Sequence, residues 1–220
     1  MNRKSVLGAR ASSPRAVHSG ETCSPWHSRG YLPHFEGGEI VQSITFRLHD
    51  SLPSSLRDEL AAELERLAKH ERKRHRRRRI EAVLDRGHGA CFLANPRIAR
   101  LVSDALRRFD GERYRLHAWC VMPNHVHVVV TPLAGYTLSS LVHTWKSFTA
   151  GEANKRLGRR GHFWMQEYFD RAIRDERHFR AAVEYVEHNP VKAGLCKASE
   201  AWPWSSSGAR ASGARKATDP

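Results

Sequence analysis

The segment Glu39 to Leu48, EIVQSITFRL, is rich in β-branched residues and predicts a first strand, ended by the turn-like His49-Asp50-Ser51-Leu52-Pro53. Leu56, Leu60, Leu64 and Leu67 then recur at helical spacing behind a Ser54 or Ser55 cap. They predict a helix that runs on to Leu84 and stops before Gly87 and Gly89. Asn95-Pro96 opens a second helix, with Ile98, Leu101, Val102, Ala105, Leu106 and Phe109 as its apolar stripe. Asp110-Gly111 is a turn. Arg113 to Met122 reads as a strand, Pro123-Asn124 as a tight connection, and His125 to Thr131 as the antiparallel partner, closed by Pro132. Thr137 or Ser139 caps a helix to about Arg156, with Leu138, Leu141, Val142, Trp145 and Phe148 turned to the core. A basic glycine-bearing loop follows at 158–161, and residues 162–174 carry a short strand or two. Asp175 caps a last helix, 176–188, which Pro190 ends. This order predicts an α+β sandwich, with helices packed on an antiparallel sheet.

Composition sets the boundaries. Residues 1–28 and 208–220 read as flexible tails of Ser, Arg, Gly and Ala without periodicity, the irregular composition at the C-terminal end starting near Ser206. Residues 29–207 remain as one domain, and a hydrophobic fraction of 40% is enough for one core. The formal charge of +14 predicts a polyanion partner, of which nucleic acid is the commonest. Charge is also clustered: Lys69 to Arg79 holds eight Lys/Arg in eleven positions, Arg76 and Arg77 among them. The run is either a solvated helix face or a ridge that contacts phosphates without reading sequence. Cys23, Cys91, Cys120 and Cys196 form no CxxC pair, which argues against a zinc knuckle and suits a reducing cytoplasm. No apolar stretch approaches the length of a membrane span, and the N-terminus lacks the apolar core of a secretory signal.

The candidate chemistry lies in two short segments. Asn124-His125-Val126-His127 opens an apolar strand, where residues two apart share a face, so both imidazoles project from one side of the sheet. Tyr185 and Asn189 sit four apart on a helix and share a flank. Two imidazole nitrogens and one amide oxygen form an incomplete ligand set. Such a set suits an ion that also binds substrate oxygens, Mg²⁺ or Mn²⁺, rather than structural zinc. A tyrosine beside it is a candidate nucleophile that needs activation. The competing reading is a core tyrosine and an ordinary helix-terminal asparagine.

Three separated segments carry a resemblance to a known family: HAWCVMPNHVHVVVTP (117–132), FWMQEYFDRAIRDE (163–176) and YVEHNPVKAGL (185–195), with RGYLPHFE (29–36) and ITFRLHDSLP (44–53) before them. The chain resembles the REP-associated tyrosine transposases, IS200-like members of the single-tyrosine HUH nucleases (His, bulky apolar residue, His), over about residues 29–207. The resemblance implies a ferredoxin-like α+β sandwich. It matches His125 and His127 to the metal ligands, Tyr185 to the nucleophile, and Asn189 to a third ligand. It also implies cleavage and rejoining of single-stranded DNA through a 5′-phosphotyrosine at repetitive extragenic palindromes, which fold into hairpins.

Partners expected on this reading are single-stranded or hairpin DNA, with the protein a monomer or homodimer on the nucleoid in the cytoplasm. Candidate DNA contacts are Arg29, Tyr31, His34 and Phe35, the loop residues Arg159 and Arg160, and Arg76 and Arg77 of the basic run. Tyr168 is a second tyrosine, read as structural or substrate-contacting because Ala172 stands four residues beyond it. Three alternatives stay open: a non-catalytic nucleic-acid-binding protein on the same fold, a nuclease that uses water, and a replication or conjugation initiator.

Overall fold

The computed structural model describes residues 26–28, 33–35 and 38–217. Strands β3 (Gln42–Leu48), β4 (Tyr114–Val121), β5 (His125–Pro132) and β6 (Trp164–Ala172) form an antiparallel sheet in the order β4-β5-β3-β6. Two three-residue strands, β1 (Trp26–Ser28) and β2 (Pro33–Phe35), pair with each other. The sheet is covered on both faces, so β5 is buried at every position but Thr131 rather than on alternate ones.

One face packs against α3 (Pro96–Arg107) and α4 (Leu138–Arg156). Ile44, Phe46, Leu48, Trp119, Val121, Val126, Val128 and Val130 meet Ile98, Val102, Leu106, Leu141, Val142 and Trp145 there. The other face packs against α5 (Glu176–Lys192), where Ala118, Cys120, Met122 and Val129 meet Phe179, Ala182, Val183 and Val186. Each fully buried Val or Leu contributes about 1.5–3 kcal/mol. His125 and His127 share the parity of Val129 and so face α5.

Three caps follow the sequence, whereas Ser54, expected to cap the helix that starts near Leu56, makes no side-chain cap hydrogen bond. Asn95 accepts from the Arg97 amide at 3.0 Å, with Pro96 at the first helical position. Thr137 forms a capping box with Ser140, and Asp175 accepts from the His178 amide at 2.7 Å. Residues 162–174 carry one strand, β6, rather than two.

Four expectations are corrected. The helix expected over 56–84 is a hairpin of α1 (Ser55–Glu65) and α2 (Lys69–Asp85). No apolar residue follows Ala68 until Ile80, so one straight helix would have had a long stretch with nothing to bury. The chain instead folds back, packing Leu56 and Leu60 on Ile80, Val83 and Leu84, with Phe169 of β6 beneath. Arg79 and His75 of α2 bind Glu63 of α1 at 2.9 and 2.6 Å. Secondly, Pro190 does not end α5, which runs to Lys192. Proline lacks only its own amide donor, and Ala193 and Leu195 still donate to the Asn189 and Pro190 carbonyls. Thirdly, Phe148 is 54% exposed on the outer side of α4.

Fourthly, irregular chain was expected from about Ser206, but α6 (Ser206–Ala217) forms there. It has no apolar stripe and docks by polar contacts. Glu187 of α5 accepts from Ser206 and Arg210, both at 2.7 Å. The segment before it lies along the edge strand β4, with Val121 donating to the Trp204 carbonyl at 2.7 Å. No helix among the described residues is long and apolar enough to cross a membrane.

Candidate active site

His125 and His127 stand at the start of β5, next to the central strand β3. Their rings meet edge to face at 4.6 Å, and their Nε2 atoms are 2.9 Å apart. Both rings are held from behind. His125 Nδ1 donates to Asn124 Oδ1 at 2.7 Å, which fixes the tautomer and leaves the lone pair on Nε2. Asn124 is itself anchored, donating to the His88 carbonyl at 2.9 Å. His127 Nδ1 lies 2.9 Å from Thr45 Oγ1. Both imidazoles are buried, and burial is the main cause holding them neutral. His125 is lowered to about 3, with Lys192 adding to the effect. His127 is also lowered well below its usual value, with His125, Arg77 and Lys192 adding to burial.

Helix α5 closes the site from above. Asn189 is 1% exposed, and its Nδ2 is 3.2 Å from His127 Nε2 while Oδ1 is buried without a partner. Rotating that amide by half a turn brings the oxygen to the histidine. One turn earlier, the Tyr185 ring meets the His127 ring edge to face at 5.5 Å. Burial raises the Tyr185 hydroxyl well above its usual value, and the Glu81 and Asp85 carboxylates add to this; the Asn189 amide and Arg77 oppose it. A depression of about 250 Å³, lined by Ala181, Glu184, Tyr185, His188 and Lys192, opens beside the ring.

These residues fit a divalent cation. Two lone pairs 2.9 Å apart repel unless a proton or cation lies between them. His125 and His127 would each offer a neutral imidazole nitrogen to such an ion. The orphaned Asn189 oxygen supplies a third donor. Among the described residues no cluster of three or more His, Cys, Asp or Glu offers an alternative metal site.

The other expected residues divide. Arg77 belongs to the site's surroundings, since its charge acts on His127 and Tyr185, and Glu81 holds it at 2.7 Å. Arg76 lies one position along α2. Arg159 stacks on the Phe92 ring at 4.4 Å, and Arg160 is exposed beside it. His34 and Phe35 lie on β2, opposite His27 and Trp26. Arg29 and Tyr31 lie outside the described residues. Tyr168 is buried on the α3 and α4 face, away from the histidines. Sequence reasoning missed Thr45, Asn124, Asp85 and Lys192. Asn124 carried a signal, as the polar residue directly before the paired histidines.

Residues 94–189 match the family model described as IS200-like transposase. Over 97 residues the chain is 32% identical to a REP-associated tyrosine transposase of Escherichia coli (strain K12), covering 42% of this chain and 53% of that relative. The chain spans about half the length of the curated relatives it matches. A solved structure of a REP-associated tyrosine transposase bound to a REP hairpin shares the fold, with a TM-score of 0.50 and 18% identity over 80% of this chain and 81% of that one. Over residues 94–189 the chain is thus similar to the IS200-like transposases, and the curated relatives it resembles there are REP-associated tyrosine transposases.

Proposed function

We propose that this protein cleaves and rejoins single-stranded DNA at repetitive extragenic palindromes, through a covalent bond to Tyr185. The observation that carries the reading is the convergence of the His125 and His127 Nε2 atoms with the Asn189 amide, one helical turn from Tyr185. The Tyr185 hydroxyl attacks a backbone phosphorus in line with the 3′-oxygen, giving a 5′-phosphotyrosine and a free 3′-OH. The new phosphodiester keeps the bond energy, so another 3′-OH can reverse the step without ATP. A divalent ion, Mg²⁺ or Mn²⁺, held by His125, His127 and Asn189, supplies Lewis-acid polarisation of the scissile phosphate. Thr45 and Asn124 orient the two imidazoles, and α5 sets Tyr185 and Asn189 on one flank.

Arg76 and Arg77 on α2 and Arg159 and Arg160 at the sheet end serve as phosphate contacts. Arg29, Tyr31, His34 and Phe35 serve as contacts to unpaired bases. Residues 29–207 form the functional domain, acting on the nucleoid as a monomer or homodimer. Two observations support hairpin DNA as the substrate: the bound REP hairpin of the fold neighbour and the charge of +14.

The test is a covalent-adduct gel at fixed, stated salt. Labelled palindromic single strands are incubated with Mn²⁺ or Mg²⁺. A denaturant-resistant adduct that Tyr185→Phe and EDTA both abolish is expected. Cleavage without adduct would establish a nuclease that uses water. Binding with neither would leave a non-catalytic binding protein.

A further inference from the structure

Lys192 stands beside the ring of the proposed nucleophile, and neither the paired histidines nor the Tyr185–Asn189 spacing accounts for it. Its Nζ lies 5.6 Å from the centroid of the Tyr185 ring. It lines the same depression of about 250 Å³ from which a substrate phosphate can reach that ring. The ammonium is held by Asp85 of α2, whose Oδ2 is 2.8 Å away and 107 positions distant in sequence. Asp85 is 15% exposed at its side chain, while Lys192 is 51% exposed. Its other oxygen, Oδ1, is buried with no partner. A half-buried carboxylate with one oxygen orphaned is a costly tie between two helices. It is better explained as the holder of a cation that has work elsewhere. Both residues lie outside the segment 94–189 that matches the family model.

We propose that Lys192 is a catalytic residue that binds the phosphate undergoing transfer to Tyr185, and that Asp85 is the residue that positions it. The inference rests on the transesterase reading above. In that step the Tyr185 oxygen forms a bond to phosphorus as the bond from phosphorus to the 3′-oxygen breaks. The tyrosine proton passes to water, and the departing oxygen takes one up from water. Reactant and product are each a singly charged phosphodiester, but the transition state carries extra negative charge spread over phosphorus and both apical oxygens. An ammonium at the rim of the depression stabilises that charge more than it stabilises bound DNA. Lys192 is suited to this because it stands on the last turn of α5, past Pro190, and projects beside the ring instead of joining the histidines.

The experiment compares wild type, Lys192→Gln, Lys192→Arg and Asp85→Asn. It measures single-turnover adduct formation at saturating DNA, DNA affinity at one salt concentration, and thermal midpoint. Lys192→Gln is expected to slow adduct formation by about tenfold to hundredfold, while affinity changes by less than about threefold, since it removes one phosphate contact among several. Lys192→Arg is expected to recover most of the rate, and Asp85→Asn to lose less than Lys192→Gln. A wild-type rate in Lys192→Gln overturns the inference. So does a loss matched by a fall in affinity or thermal midpoint, which marks a structural tie only. If Lys192→Gln does not fold, a folded Asp85→Asn with the wild-type rate overturns it. Absence of adduct in wild type overturns instead the reading on which the inference rests.

Discussion

Thr45 Oγ1 lies 2.9 Å from His127 Nδ1, across a directly opposed pair on β3 and β5. The register places a hydroxyl behind an imidazole, and the other ring nitrogen then points at His125 and Asn189. A ring so fixed does not have to be ordered when a ligand binds.

Replacement of Thr45 by Val keeps the shape and removes the hydrogen bond. We expect Mn²⁺ affinity to fall by about 10–100-fold, the usual effect of losing a partner behind a metal-binding histidine. Stability should change by about 1 kcal/mol or less, because the partner nitrogen can lose its proton to Nε2. Calorimetric Mn²⁺ titration of folded Thr45→Val checks this, and unchanged affinity would mean that packing alone orients His127.

The other histidine is held through a longer chain. Gly89 has φ +86, and a Cβ there would lie 2.5 Å from the Asp50 carbonyl oxygen. The Gly89 loop presents the His88 carbonyl to Asn124, which in turn holds His125. Gly89→Ala should therefore cost about 1–3 kcal/mol and also lower adduct formation. Gly111 has φ +83 with nothing near its missing Cβ. Gly111→Ala should cost only about 1 kcal/mol of backbone strain and leave activity intact. Urea midpoints and adduct rates for the two variants separate these outcomes.

Much of this architecture is legible in the sequence, for local reasons. The strand pair around Pro123-Asn124 and the caps at Asn95, Thr137 and Asp175 depend on neighbours a few residues away. So does the shared face of His125 and His127. Thr45 was not legible because its role depends on the β3–β5 register, 82 positions apart in sequence. Lys192 was hidden by Pro190, which reads as a helix stop until the downstream amides are seen to find other carbonyls. The α1–α2 hairpin was hidden because leucines at helical spacing continue to Leu67, and the failure comes only after them.

Tyr168 provides a control on the nucleophile. It stands on β6 opposite Phe46, in the core beneath α3 and α4, while Thr45 and His127 face the other way. No rotation of its side chain carries it through the sheet to the histidines. Tyr168→Phe should keep the covalent adduct and change stability by about 1 kcal/mol. Loss of the adduct in Tyr168→Phe, with retention in Tyr185→Phe, would reverse the assignment.

Lys146 gives a pH signature away from the site. It reaches from α4 to the edge strand β6, donating to the Met165 and Gln166 carbonyls at 2.7 and 2.6 Å. Burial lowers it from 10.5 to about 8, with Glu167 opposing and Arg47 adding to the shift. A lowered lysine means that between pH 8 and 10.5 the unfolded chain binds more protons than the folded one. Stability attributable to Lys146 must therefore rise with pH across that window, and the cost of its buried charge is fully present below about 8. Lys146→Met removes the titrating group along with two hydrogen bonds. The difference in urea midpoint between wild type and Lys146→Met should shift in favour of wild type from pH 7.5 to pH 9.5, on the order of the linkage slope. A difference that stays constant with pH would show that Lys146 titrates alike in the folded and unfolded chain.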